Sequence, residues 1–250
     1  MVARTDNVTD PKLAADLLLA RRGQAYFSRK LNELSDAEFA EPSLLPGWSR
    51  AHVIAHVGYN ARAITRLVEW AYTGVETPMY TSTAQRGEEI EFGATLPPIA
   101  LRNLSAHAAV HLNVEWRDLP EDKWSATVRT AQGRLVPASE TVWMRTREVW
   151  MHAIDLDNGG KFEQLPAEFV DRLLRDIVGT WSKRAETDDS IPPVHLVTHL
   201  GDVIAVAGAA GDPVAVHGTA VDLLRWATGR GGDRVSYADG SPAKPAPRWL

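Results

Sequence analysis

Between Ser139 and Leu156 the chain carries a helix-length segment that is apolar around most of its circumference yet threaded by a line of polar groups. No other stretch limits the fold as much. Val142, Val149, Ala153 and Leu156 cover one side at helical spacing, and Trp143, Trp150 and Ile154 cover another. Such a helix has little face for water and belongs inside a bundle. Thr141, Arg145, Glu148, His152 and Asp155 follow one another at intervals of four, three, four and three residues, which stacks them in one seam. An unpaired neutral polar group in a core costs about 1–3 kcal/mol and a charged one more, so the seam requires either a salt-bridge network or a metal.

The partners of this helix are legible upstream. Asp10-Pro11 pairs a capping side chain with a proline at the first helical position, and Leu13, Leu17, Ala20, Phe27, Leu31 and Leu34 continue at near-helical spacing. Ser49 caps a second helix with Val53, Val57, Ile64, Leu67, Val68 and Ala71 on one side. A third is predicted from Pro97 to Leu119. Four helices of this kind form a bundle. Thr73 to Thr95, with Gly74, Pro78, Gly87 and Gly93 and no sustained periodicity, is predicted to be an irregular cover over an active site. Trp124 to Val136 alternates around Gln132-Gly133 as a short hairpin.

Asp157-Asn158-Gly159-Gly160 stops the bundle, giving domains at 1–158 and 159–250, a division that 250 residues can support. The second domain reads as a helix from Pro166 to Lys183, strands at Val194–Leu200, Val203–Ala207 and Val214–His217, and a helix from Thr219 to Ala227. The expected class is α+β. The tail from Gly229 to Pro247 is rich in Gly, Pro and Ala, and Arg248-Trp249-Leu250 is expected to anchor its end.

The net charge of -5 gives no basic field for nucleic acid. There is no cysteine, which excludes disulfides, thiolate ligands and a sulfur nucleophile of the protein's own. The polar N-terminus does not resemble a signal peptide, and no run is long enough to span a bilayer, so a cytoplasmic location without membrane partners is expected; the chain is also expected to be a monomer.

Any metal must therefore rest on histidine and carboxylate. Glu148 and His152, one turn apart, point a carboxylate oxygen and an imidazole nitrogen at a common point. The second helix offers His52 and His56; at 100° per residue His56 flanks the apolar face while His52 turns toward the charged side. His56 is the choice. The same spacing also suits an intrahelical Glu148–His152 hydrogen bond and a satisfied core His56, and the two readings stand level here. His107 and His111 share the four-residue interval but lie off the apolar centre without a carboxylate, and read as surface residues; His195, His199 and His217 fall among strands, where structural or exposed roles are expected. Two imidazoles and one carboxylate leave open coordination positions, as in catalytic zinc, although iron, manganese or nickel fit the same ligands.

Leu45 to Val57, Glu76 to Tyr80, Thr130 to Gly133, Val136 to Asp155 and the ending Pro247 to Leu250 resemble the mycothiol-dependent maleylpyruvate isomerase family, over nearly the whole chain. The resemblance implies a DinB-like four-helix bundle carrying zinc and a smaller α/β domain that helps close the active site. It implies His56, Glu148 and His152 as metal ligands, Arg230 of Gly229-Arg230-Gly231 as a functional arginine acting in catalysis and in binding the cofactor, and Arg86 as a second candidate. It also implies mycothiol as thiol cosubstrate and a small-molecule substrate, maleylpyruvate, isomerised to fumarylpyruvate. A cis-to-trans change about a conjugated double bond needs the double-bond character removed for a time, which addition of a thiolate does; a chain without cysteine must borrow the thiol. A mycothiol S-transferase acting on another electrophile, a non-catalytic DinB-like metal-binding protein and a non-haem iron oxygenase are the competing readings.

Overall fold

The computed structural model describes residues 5–188, 190–209 and 211–249. The class is α+β, and the chain forms two compact units, one ending at Gly160 and one beginning at Lys161. In the first unit, α1 (Pro11–Asn32), α2 (Arg50–Thr73), α4 (Pro98–Asp118) and α5 (Glu140–Asp155) make the bundle, α3 (Thr83–Ala94) lies against α2, and β1 (Thr127–Arg129) and β2 (Leu135–Pro137) form the hairpin.

Asp10 starts α1 by accepting the Lys12 amide, with Pro11 at the first position. The helix that carries the polar seam is α5, and most of its sixteen residues are buried. It packs closely on α1 because residue 23 is glycine. A Cβ there would lie 2.6 Å from Trp150 Nε1, so the indole rests against bare backbone and donates to the Leu19 carbonyl at 3.2 Å. Leu17, Phe27, Ile54, Ile64, Leu67, Leu101, Leu112 and Leu156 fill the interior between the helices. The hairpin pairs Val128 with Val136, and both are buried.

The segment from Thr73 to Thr95 is not irregular throughout, as its composition suggests: twelve of its residues are α3. Ser82 caps it by accepting the Gln85 amide at 3.0 Å. Only Ile90 and Gly93 of this helix are buried, too few for an apolar period to show in the sequence. Gly93, which reads as a loop signal, is instead the contact point with α2, where a Cβ would meet Ala55 and Tyr59 at 2.7 Å.

In the second unit, α6 (Ala167–Ala185) and α7 (Ala220–Ala227) accompany a mixed sheet in the order β4 (Val203–Ala205), β3 (Val194–Thr198), β5 (Val214–Gly218) and β6 (Ser236–Tyr237). β3 and β5 are parallel, pairing Leu196 with Val216, and the other neighbours are antiparallel. The two-residue β6 lies in the tail read above as Gly-, Pro- and Ala-rich, and is too short to leave a pattern. The tail is held by a hydrogen bond from Arg184 to the Arg248 carbonyl and by Trp226 Nε1 to the Lys244 carbonyl at 2.7 Å. Leu250, part of the expected anchor, lies outside the described residues.

Candidate metal centre

α5 sets its carboxylate and imidazole one turn apart, and α2 crosses opposite them. Glu148 Oε2 lies 2.8 Å from His56 Nε2 and 3.2 Å from His152 Nε2. Each of the three residues offers a ligand atom within 4.8 Å of the other two, and among the described residues this is the only such group. The His56 and His152 rings meet edge to face at 4.8 Å. His56 is buried, whereas the side chains of Glu148 and His152 keep 25% and 13% of their exposure, so the cluster opens on one side.

The outer contacts fix the orientation of the three candidate ligands. Asp155, fully buried, faces His152 Nδ1 at 2.8 Å. With a proton on Nδ1, the lone pair of His152 Nε2 points at the Glu148 oxygen, as in carboxylate–histidine–metal triads. Two neutral imidazole nitrogens and a carboxylate then converge with more acceptor capacity than protons. One divalent cation satisfies all three at once, so the donor set fits zinc chemistry. Asp155→Asn should leave the fold intact and weaken metal binding about 10–100-fold, as read by competition with a chromophoric chelator.

Without a cation the side chains hold protons in its place, and binding a metal must release them. Burial holds the His56 imidazole below its ordinary value against the pull of Glu148. Burial alone would raise the Glu148 carboxyl, but the His56 charge and hydrogen bonds from both imidazoles take it well below the usual range. Burial also acts to lower His152, yet hydrogen bonds to Asp155 and Glu148 push it up to about 9.

The register between α2 and α5 comes from Arg50, six residues before His56. Its Nε donates to the Leu156 carbonyl at 2.7 Å and its Nη2 to the Asp157 carbonyl at 2.8 Å, while Nη1 meets Glu41 at 2.6 Å. The start of α2 is thus tied to the end of α5.

His52 is not part of the cluster. Its Nδ1 turns back to accept the Ser49 amide at 3.2 Å, capping α2, and its Nε2 faces Glu91 at 3.4 Å. His107 and His111 are exposed. The expectation that no carboxylate accompanies them is corrected by Glu115, 3.4 Å from His111 Nε2 and one turn further along α4. His195 and His217 are partly buried in the second unit and His199 is exposed.

Arg86 comes to the cluster from α3, its Nη2 standing 3.4 Å from His56 Nδ1. Tyr80, just before α3, ends the Glu76–Tyr80 segment of the resemblance, which gave it no role. It hydrogen-bonds with Arg86, and burial pushes its phenol up to about 12, which keeps it a proton-bearing donor. Trp48 lies edge-on to His56 at 5.6 Å. Arg230 belongs to the second unit, where its Nη1 donates to the Thr228 carbonyl at 2.9 Å and its own carbonyl accepts from Arg225 Nε at 3.3 Å. Gly231 has φ +132, and a Cβ there would lie 2.9 Å from Arg225 Nε, so this turn requires glycine.

Comparison with known proteins fits this geometry. A family model described as the mycothiol maleylpyruvate isomerase N-terminal domain matches residues 20–157, and one described as the MDMPI C-terminal domain matches residues 164–246. A crystal structure of a mycothiol-dependent maleylpyruvate isomerase is 45% identical, with a TM-score of 0.89, and the match covers 95% of this chain and 97% of that one. The structure of a histidine-to-alanine mutant of a mycothiol-dependent maleylpyruvate isomerase is 44% identical at the same TM-score and the same coverage. No curated protein matches the chain.

Proposed function

Because the chain belongs to the mycothiol-dependent maleylpyruvate isomerase family, we propose that it converts maleylpyruvate to fumarylpyruvate with mycothiol as cosubstrate and zinc held by His56, Glu148 and His152. The observation that carries this reading is the convergence of three ligand atoms from two helices on a point that keeps an open side. A divalent cation there supplies the positive charge that brings a thiol, whose ordinary pKa is ~8.5, to its thiolate form near neutral pH.

The protein's own groups have separate tasks. His152 is held in one orientation by Asp155, so the ligand set needs little rearrangement. Arg86, planar and cationic beside His56, is placed to pair with a substrate carboxylate, for which the guanidinium fork is suited. The Tyr80 phenol is an O–H donor for an oxygen that gains negative charge when sulfur adds to the conjugated system. Trp48 shields His56 from water on one side. Arg230 is proposed, from the resemblance, as a further carboxylate or cofactor partner, and the domains at 1–158 and 159–250 are proposed to work together.

The three proposed ligands come from one chain, so a monomer would hold a complete ligand set. Among the described residues no helix is long and apolar enough to cross a membrane, and a cosubstrate that must stay reduced favours the cytoplasm.

The test is loss of maleylpyruvate with and without mycothiol. Turnover should need the thiol and should fall at least about tenfold in Arg86→Lys, which keeps the charge and loses the bidentate fork. Turnover without any thiol would overturn the proposal. If mycothiol were consumed by a chlorinated aromatic or an epoxide while maleylpyruvate stayed unchanged, the chain would be an S-transferase instead.

A further inference from the structure

A cavity of about 420 Å³ opens between α1 and α4. That volume lies in the range of small-molecule sites, about 300–1,000 Å³. None of His56, Glu148, His152 and Arg86 lines it. Its apolar wall is made of Ala20, Ala106, Ala109, Val110, Leu112 and Trp116.

Arg145 also lines it, and its side chain is the only fully buried guanidinium described, 2% exposed. Its Nη1 donates to the Val57 carbonyl at 2.7 Å and to Asn60 Oδ1 at 3.0 Å, and its Nη2 to Gln24 Oε1 at 2.8 Å. All three acceptors are neutral. A guanidinium has five N–H donors, so these bonds leave two. The Glu148 carboxylate, three residues further along α5, attracts it through space but makes no hydrogen bond with it, so the two remaining donors have no anionic acceptor, a costly state for a charge taken out of water. Burial brings the Arg145 pKa down to about 10 against the opposing pull of Glu148, which still leaves it charged at neutral pH.

The other cation of the cavity is already engaged. Arg21 grips Asp6 through both terminal nitrogens at 2.6 Å and gives its Nε to Asn113 at 2.7 Å. One buried positive charge therefore faces a space whose remaining wall is largely apolar. A singly charged head matches it, and a dianion would lack a second partner.

We propose that this cavity is a binding site, separate from the metal centre, for a small monocarboxylate with an apolar body, the carboxylate meeting Arg145 and the body lying along Ala109, Leu112 and Trp116. The proposal is independent of the activity assigned above. It also gives the seam of α5 a second use, since Arg145 holds the Val57 carbonyl, next to His56 on α2.

The probe is octanoate, titrated calorimetrically into the full chain, with octanamide as its uncharged counterpart. Octanoate should bind once per chain with Kd below about 1 mM, and octanamide should bind at least about tenfold more weakly, having lost the charge-assisted bond. Ala109→Phe fills the space and leaves Arg145 in place; it should weaken octanoate at least about tenfold while keeping the native circular dichroism spectrum and maleylpyruvate turnover. Arg145→Met should show the same loss, and if it does not fold, Ala109→Phe and octanamide still decide the matter. No saturation by about 10 mM octanoate, equal affinity for octanamide, or unchanged binding in Ala109→Phe would each overturn the assignment, the last by sending the ligand elsewhere.

Discussion

Glu148→Gln should give a folded protein without bound metal and with turnover reduced by on the order of 10³ or more. The substitution keeps the shape of the side chain. It replaces a carboxylate shared by both imidazoles, at 2.8 and 3.2 Å, with a neutral amide. The proposed cation site loses its only negatively charged candidate ligand. Catalytic metals contribute several kcal/mol of charge stabilisation, and each ~1.4 kcal/mol is a factor of ten in rate. Stability should change little, because a quarter of the Glu148 side chain remains exposed and the amide can still bond one imidazole. Metal content by mass spectrometry and turnover with mycothiol check both halves of the expectation. Full activity in a protein that retains no metal would contradict it.

The second large effect is on the frame. Arg50→Met should destabilise the protein by about 2–4 kcal/mol, chiefly because two main-chain carbonyls lose a charged donor. The Leu156 and Asp157 carbonyls lose their donor and Glu41 loses its partner at 2.6 Å. For a protein of this size the midpoint of thermal unfolding should fall by roughly 4–16 °C. Metal affinity should fall with it, since the same contacts set α2 against α5. Arg175→Met provides the control: its pair with Asp171 at 2.9 Å lies on the surface and is expected to contribute under about 1 kcal/mol. A midpoint shift no larger than the control's would show that Arg50 does not fix the register.

The legibility of this chain follows from where its information is local. The seam of α5 is set by spacing along one helix, so Glu148, His152, Asp155 and Arg145 are visible as a group before any coordinates. Choosing His56 over His52 needed only the phase of α2, and the reason becomes plain in three dimensions, where His52 is engaged at the helix start. What resisted reading depends on contacts between distant segments. α3 buries only Ile90 and Gly93, so its periodicity is nearly absent and its two glycines look like loop. Arg50 appears as an ordinary arginine near a helix start until its carbonyl partners, more than a hundred residues away, are known. Tyr80 and Arg86 join the cluster only because α3 packs on α2. The pairing of β6 rests on two residues that leave no pattern.

X-ray absorption at the zinc edge, on protein loaded with one equivalent of zinc, tests the central claim most directly. The expected spectrum has nitrogen and oxygen neighbours at about 2.0–2.2 Å and no sulfur, and gains one sulfur neighbour at about 2.3 Å when mycothiol is added. Both features should vanish in His152→Ala. A protein that takes up no zinc, or whose zinc environment is unchanged by the thiol, would contradict a metal centre built to receive it.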